Sequence, residues 1–124
     1  MTGIELLETY PKAAEVINEF YRTKMMDSMD ASDVPDEFKD MLKQQEFDNE
    51  YVAKFIDANP RILFDVFDKH RILIHITIMD DGKEVTFSHH ISKAVNSVYA
   101  PCITRMEAER NAIEEAFEIL NSKL

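Results

Sequence analysis

The sequence predicts an α+β fold: N-terminal helices followed by an antiparallel β-hairpin packed against a long C-terminal helix. Three observations predict it. Residues 71–91 alternate with a period of two around Asp81-Gly82, a capping-box motif opens an amphipathic run at Thr104, and apolar residues before Arg71 recur at helical spacing between proline and asparagine breaks.

Ile4 to Tyr10 reads as a short helix or ordered lead-in that stops at Pro11, because proline suits the first turn of a helix and not its middle. From Pro11 a helix of about five turns is predicted. Ala13, Val16, Ile17, Phe20, Tyr21, Met25 and Met29 form its apolar side, and Glu15 and Glu19 lie near its start, where the macrodipole favours acids.

Asp27 to Asp36 holds Asp27, Asp30, Asp33 and Asp36 among Ser28, Ser32 and Pro35 and reads as a solvated linker. It fails as a calcium loop. That loop needs alternate acids and a central glycine, whereas Met29 and Ala31 stand at the alternate places and the stretch has no glycine. Pro35 to Gln45 then predicts a short helix with a narrow apolar edge of Phe38, Met41 and Leu42. Asp48 or Asn49 would cap another, carrying Tyr51, Val52, Phe55 and Ile56. Asn59-Pro60 is a further start signal, asparagine at the cap and proline at the first helical position, for a helix over Ile62 to Asp68.

Next comes the hairpin. Ile72, Ile74, Ile76 and Ile78 fall on one face of a strand. With Asp81-Gly82 as a two-residue type I′ turn, Asp80 would face Lys83, Ile78 Val85, Ile76 Phe87, Ile74 His89 and Ile72 Ile91. Turn register and apolar pattern then agree, since a one-residue slip would put one set in water. The other face carries Leu73, His75, Thr77, Met79, Thr86, Ser88 and His90 and is semi-polar. Ser92 to Ile103 has no clear period; a short strand or helical turn around Ala94 to Val98 is the expectation. Thr104-Arg105-Met106-Glu107 then opens a helix with Met106, Ile113, Phe117, Leu120 and Leu124 on one stripe. Ala108, Ala112 and Ala116 would let it lie close on the sheet.

At 124 residues and 45% hydrophobic composition, the chain is expected to form a single domain, 1–124, with a sizeable core. No apolar run approaches the roughly 20 residues of a membrane span, and Met1 to Glu8 has no signal-like pattern, so a cytoplasmic protein is expected. The lone Cys102 fits a reducing compartment and reads as a small buried apolar residue.

The net charge of -10 is uneven: fourteen acids against six bases up to Asn59, five against five from Pro60 to Ile103, and five against three from Thr104. Such an excess opposes binding to a phosphate backbone, and direct nucleic-acid binding is not expected. Two glycines in the whole chain leave no phosphate-cradling loop.

Four histidines, His70, His75, His89 and His90, fall close together. His75 and His90 share the outer sheet face as diagonal neighbours in the register above and are weak candidates for metal, needing two further ligands. His89 is expected at the edge of the core, bonding locally. Glu114-Glu115 reads as helix surface and Asp80-Asp81 as a turn, so neither is a general acid–base pair without a cleft. Phe20, Tyr21, Met25, Met26, Phe55, Phe64 and Phe67 read as core.

The tail Thr104-Arg105-x-Glu107-Ala108-x-x-x-Ala112-Ile113-x-x-Ala116-Phe117-x-x-Leu120-x-x-Lys123-Leu124 resembles the ends of small uncharacterised proteins from bacteriophages and mobile elements of gut bacteria. The resemblance covers about one-sixth of the chain and implies a small accessory protein in an infected or lysogenic cell, with no site to carry over.

The leading expectation is a small acidic non-enzymatic protein-binding or regulatory protein, with no catalytic residue and no cofactor. Its acidic surface, Asp33, Asp36, Glu37 and Asp40, would meet a protein partner with a basic surface. Alternatives are a structural virion or scaffold component, and a small metal-dependent enzyme using the His75/His90 face. The hairpin leaves strand edges that natural proteins seldom leave free, so a homodimer through the hairpin edge is expected.

Overall fold

A computed structural model describes residues 1–30, 35–44, 47–92 and 101–124. Among the described residues five helices precede the hairpin and one follows it: α1 (Gly3–Thr9), α2 (Pro11–Asp30), α3 (Asp36–Lys43), α4 (Asn49–Ala58), a 3-10 turn (Pro60–Ile62) leading into α5 (Leu63–Lys69), β1 (Ile74–Asp80), β2 (Val85–Ile91) and α6 (Arg105–Lys123). This is the predicted α+β architecture, with the hairpin packed on the C-terminal helix. Ala31 to Val34, which includes Asp33, and Lys93 to Ala100, with the strand or turn expected at Ala94 to Val98, lie outside the described residues.

The helix starts follow from their caps. Thr2 accepts from the Glu5 amide at the head of α1, and the Asp48 carboxylate accepts from the Tyr51 amide at the head of α4 (2.8 Å). At α2 the cap comes from far along the chain: the Asn121 side-chain oxygen on α6 accepts from the amides of Lys12 (2.9 Å) and Ala13 (3.2 Å). Asn59 does not cap as expected. Its side chain makes no cap bond, and the chain starts at Pro60 as a 3-10 turn before becoming α5. The reading of Asp27 onward as linker is also corrected, because α2 continues through Asp30 and buries Met29.

α5 ends in a reversal that positions the sheet. The Ile72 amide bonds the Phe67 carbonyl (2.9 Å) and the Arg71 amide the Asp68 carbonyl (3.0 Å). This pair of bonds is a Schellman motif, with Arg71 in the left-handed region at φ 60° where glycine is usual. Ile72 and Phe67 are both buried.

β1 and β2 pair antiparallel as Ile74↔Ile91, Ile76↔His89, Ile78↔Phe87 and Asp80↔Val85, with His75↔His90 and Met79↔Thr86 between. The expected register is therefore corrected by two residues. The connection is the four-residue Asp81 to Glu84, and only Gly82 within it has positive φ, so no type I′ turn forms. Side-chain chemistry explains the longer loop. Asp80 accepts from the Gly82 amide and Asp81 from those of Lys83 and Glu84, each at 2.9 Å. The Glu84 and Lys83 amides hold the Asp81 carboxyl below its usual range. A shift of two residues preserves side-chain parity, which is why the predicted faces stand although the partners do not.

α6 covers the isoleucine face around Ile74 and Ile91, while Ile78 and Val85 near the turn stay about half exposed. Ala108, Ala112 and Ala116 are fully buried and bring the helix close, and Ile113, Phe117 and Leu120 complete the contact. Met106 and Leu124 do not share that stripe as expected and are exposed. One hydrophobic core runs from Leu6 and Leu7 through Ile17, Val52, Leu63, Phe67 and Ile91 to Leu120. The expected core aromatics Tyr21 and Phe67 are buried, and Phe20, Phe55 and Phe64 pack partly buried against them.

Candidate functional site

Three places bring functional side chains together: the outer face of the sheet, the β2–α6 seam, and a cleft at the start of α6. A fourth feature, α3, is set apart by what it leaves uncovered.

On the outer face His75 and His90 are directly opposite in the ladder, not diagonal, and their rings stack at 6.3 Å between centroids. Ser92 Oγ lies 3.4 Å from His75 Nε2. Two imidazoles make half of a tetrahedral zinc shell, and among the described residues no third His, Cys, Asp or Glu joins them. His70 lies elsewhere, at the end of α5.

In the seam, His89 is buried and its Nε2 lies 2.6 Å from Glu115 Oε2 on α6. This corrects two expectations: His89 does not bond locally, and Glu115 is not plain helix surface. Neither could be read from spacing, because the two are 26 residues apart and meet only when α6 crosses β2. A carboxylate that orients an imidazole is the arrangement of a general base. Here, however, the second ring nitrogen, Nδ1, is buried with no hydrogen-bond partner among the described residues. The pair is a polar tie that joins β2 to α6 across the seam. Cys102 sits beside it, buried as expected. Its backbone makes a two-bond bridge to Phe87 (2.7 and 2.8 Å), and its Sγ accepts from Asn111 Nδ2 (3.3 Å). That bridge covers part of β2's outer side, so among the described residues β1 is the open edge of the sheet.

The cleft, of about 880 Å³, is bounded by α1, the corner between α4 and α5, and the first half of α6. Sequence reasoning missed it. Its one signal was Met106, an apolar residue among charges at positions that α6 turns away from the sheet.

Of the expected partner-binding acids, Asp36, Glu37 and Asp40 are all exposed on α3. Phe38 (52% exposed) and Met41 (68%) share that helix, and neither packs on the hydrophobic core. Of the short apolar edge predicted for this segment, Phe38 and Met41 are turned to solvent.

No family model, curated protein or solved structure matches the chain. Among the described residues no helix is long and apolar enough to cross a membrane.

Proposed function

We propose that the protein is a non-enzymatic binding or regulatory protein that docks α3 onto a partner carrying an apolar groove with a basic rim. The observation that carries this reading is the pairing on one helix of exposed Phe38 and Met41 with exposed Asp36, Glu37 and Asp40. An amphipathic helix normally turns its apolar edge to its own core. Here Phe38 and Met41 stand in solvent, three residues apart, the spacing used when a helix inserts anchors into another protein's groove. The acids supply the sign of the partner: basic groups around the groove would steer association and set its salt dependence.

The expected homodimer belongs to the same reading. β1 is a regular seven-residue edge with no lysine, proline or charge before Asp80 to guard it, and Ile78 beside that edge is half exposed. A second copy pairing along β1 would join two hairpins into one four-stranded sheet. A structural virion or scaffold role would use the same edge, and ordered assemblies larger than two would favour it. The phage or mobile-element setting is part of this proposal and supplies a context in which a small acidic accessory protein occupies a host protein's basic groove.

The experiment is capture from bacterial lysate with tagged wild-type protein, a Phe38→Ser/Met41→Ser variant, and an Asp36→Lys/Glu37→Lys/Asp40→Lys variant, at low and moderate salt. A stoichiometric partner that salt releases and both variants lose is the expected result. A partner held equally by all three proteins and indifferent to salt would remove the reading. Sedimentation of the protein alone reads the dimer, which Ile76→Lys on β1 should dissociate.

A further inference from the structure

We infer that the cleft at the start of α6 is a binding site for a small amphipathic monocarboxylate, one carboxylate on an apolar chain. Its volume of about 880 Å³ falls within the range of roughly 300–1,000 Å³ typical of small-ligand sites. The floor is apolar and belongs to the core: Leu6, Ile56 and Ile113 line it and are almost fully buried. Met106 stands on the wall, 68% exposed although it lies on a helix that buries six other side chains. A flexible thioether held at the mouth of an apolar hollow suits a ligand chain of variable shape.

The charges select the head group. The chain has five arginines, Arg22, Arg61, Arg71, Arg105 and Arg110, and three of them, Arg61, Arg105 and Arg110, line this one cleft. Its three acids are already engaged. Asp57 accepts from the Gly3 amide (2.9 Å), Glu5 from the Thr2 hydroxyl (3.0 Å), and Glu109 takes both Nε and Nη2 of Arg61 (3.2 and 3.0 Å). The Arg61–Glu109 fork shows the chemistry the cleft favours, a planar carboxylate held by two parallel N–H donors. Arg110, next along α6, makes no ion pair among the described residues, and Arg105 lies over the Phe87 ring at 5.7 Å.

Three arginine side chains stand against three acidic ones in the lining, and the Met1 ammonium there is paired with Glu114, so little positive charge is left over within a chain of net charge -10. A polyanion such as a nucleotide or polyphosphate would be repelled at long range and meet no excess of positive charge on arrival. A monoanion whose affinity comes largely from apolar contact escapes that penalty. Arg110 supplies its counter-charge, and Arg105 lines the same cleft.

The test uses the full chain with methyl-labelled methionine, the Met106 signal being assigned by Met106→Leu, and decanoate as probe below its micelle concentration. Saturable movement of the Met106 methyl is expected, with Arg110→Gln weakening binding about tenfold, the loss of one charge-assisted pair. Decanol, which keeps the chain and drops the charge, should bind similarly weakly, and acetate weaker still. Arg105→Gln gives a second reading should the Arg110 variant melt early. An unmoved Met106, affinity unchanged in both arginine variants, or inorganic phosphate displacing decanoate at equal concentration would each overturn the assignment. Because the α3 variants above leave every cleft residue in place, they should bind decanoate as wild type does, so this site and the docking reading fail separately.

Discussion

His89 and Glu115 join the sheet to the last helix: Nε2 of the one lies 2.6 Å from Oε2 of the other, across the seam between β2 and α6. The ring is 6% exposed and the carboxylate side chain 24%. Removing the carboxylate would leave a buried imidazole without that bond, and a buried group stripped of its partner costs more than the bond itself contributed. Glu115→Leu should therefore destabilise the protein by about 2 kcal/mol, whereas His89→Leu combined with Glu115→Leu should cost much less than the two single changes summed. Urea unfolding of the four proteins completes the cycle.

Tyr21 stacks on Phe55 at 5.8 Å, and its hydroxyl is buried with no hydrogen-bond partner among the described residues. Burial pushes its phenol up to about 12, from an ordinary value of 10.0. The sign follows: above pH 10 the unfolded chain releases this proton while the folded chain keeps it, so stability falls as pH rises from 10 to about 12. The slope is at most about 1.4 kcal/mol per pH unit. Tyr21→Phe should remove that component and raise stability at neutral pH by up to about 1 kcal/mol, since it deletes an unsatisfied buried hydroxyl. Melting curves of both proteins from pH 8 to pH 12 measure it.

The left-handed Arg71 is strained for any residue with a Cβ. Arg71→Gly should stabilise the protein by about 1 kcal/mol, relieving the strain at the cost of a more flexible unfolded chain. A loss of stability on chemical denaturation would mean that the arginine side chain contributes more than its backbone costs.

Gly3 gives the opposite sign from helix propensity. A Cβ there would stand 3.0 Å from Asp57 Oδ1 and 3.1 Å from the Ala53 carbonyl oxygen, both on α4. Gly3→Ala, which gains nearly 1 kcal/mol in an open helix, should instead destabilise by about 1 kcal/mol through overpacking. Differential scanning calorimetry separates the two outcomes.

Much of the architecture was legible because it rests on local chemistry. Pro11 starts α2, Asp48 caps α4, Thr104 accepts from the Glu107 amide at the head of α6, and the alternating isoleucines put the correct face of the hairpin inward. The register was missed because Asp81-Gly82 has two chemistries. It can supply two positive-φ residues, or its aspartate can collect the next amides, and here the adjacent Asp80 helps the second arrangement win. Contacts made across the fold left no local trace: Glu115 against His89, Asn121 against Lys12, and three arginines drawn from one helix and a distant turn. On α3 the apolar positions Phe38 and Met41 were readable, but their exposure was not, because periodicity reports that a helix has a face and not what the face meets.

The two bonds from Asn121 to the amides of Lys12 and Ala13 also order events in time. The donors at the head of α2 and the oxygen that satisfies them are 109 residues apart. At about 5–20 residues per second, a ribosome exposes the opening turn of α2 several seconds before its acceptor exists. Through that interval the longest N-terminal helix is open at its start, and the nascent chain holds an amphipathic segment without its final ties. Completion of the C-terminal helix is thus the event that closes the N-terminal one.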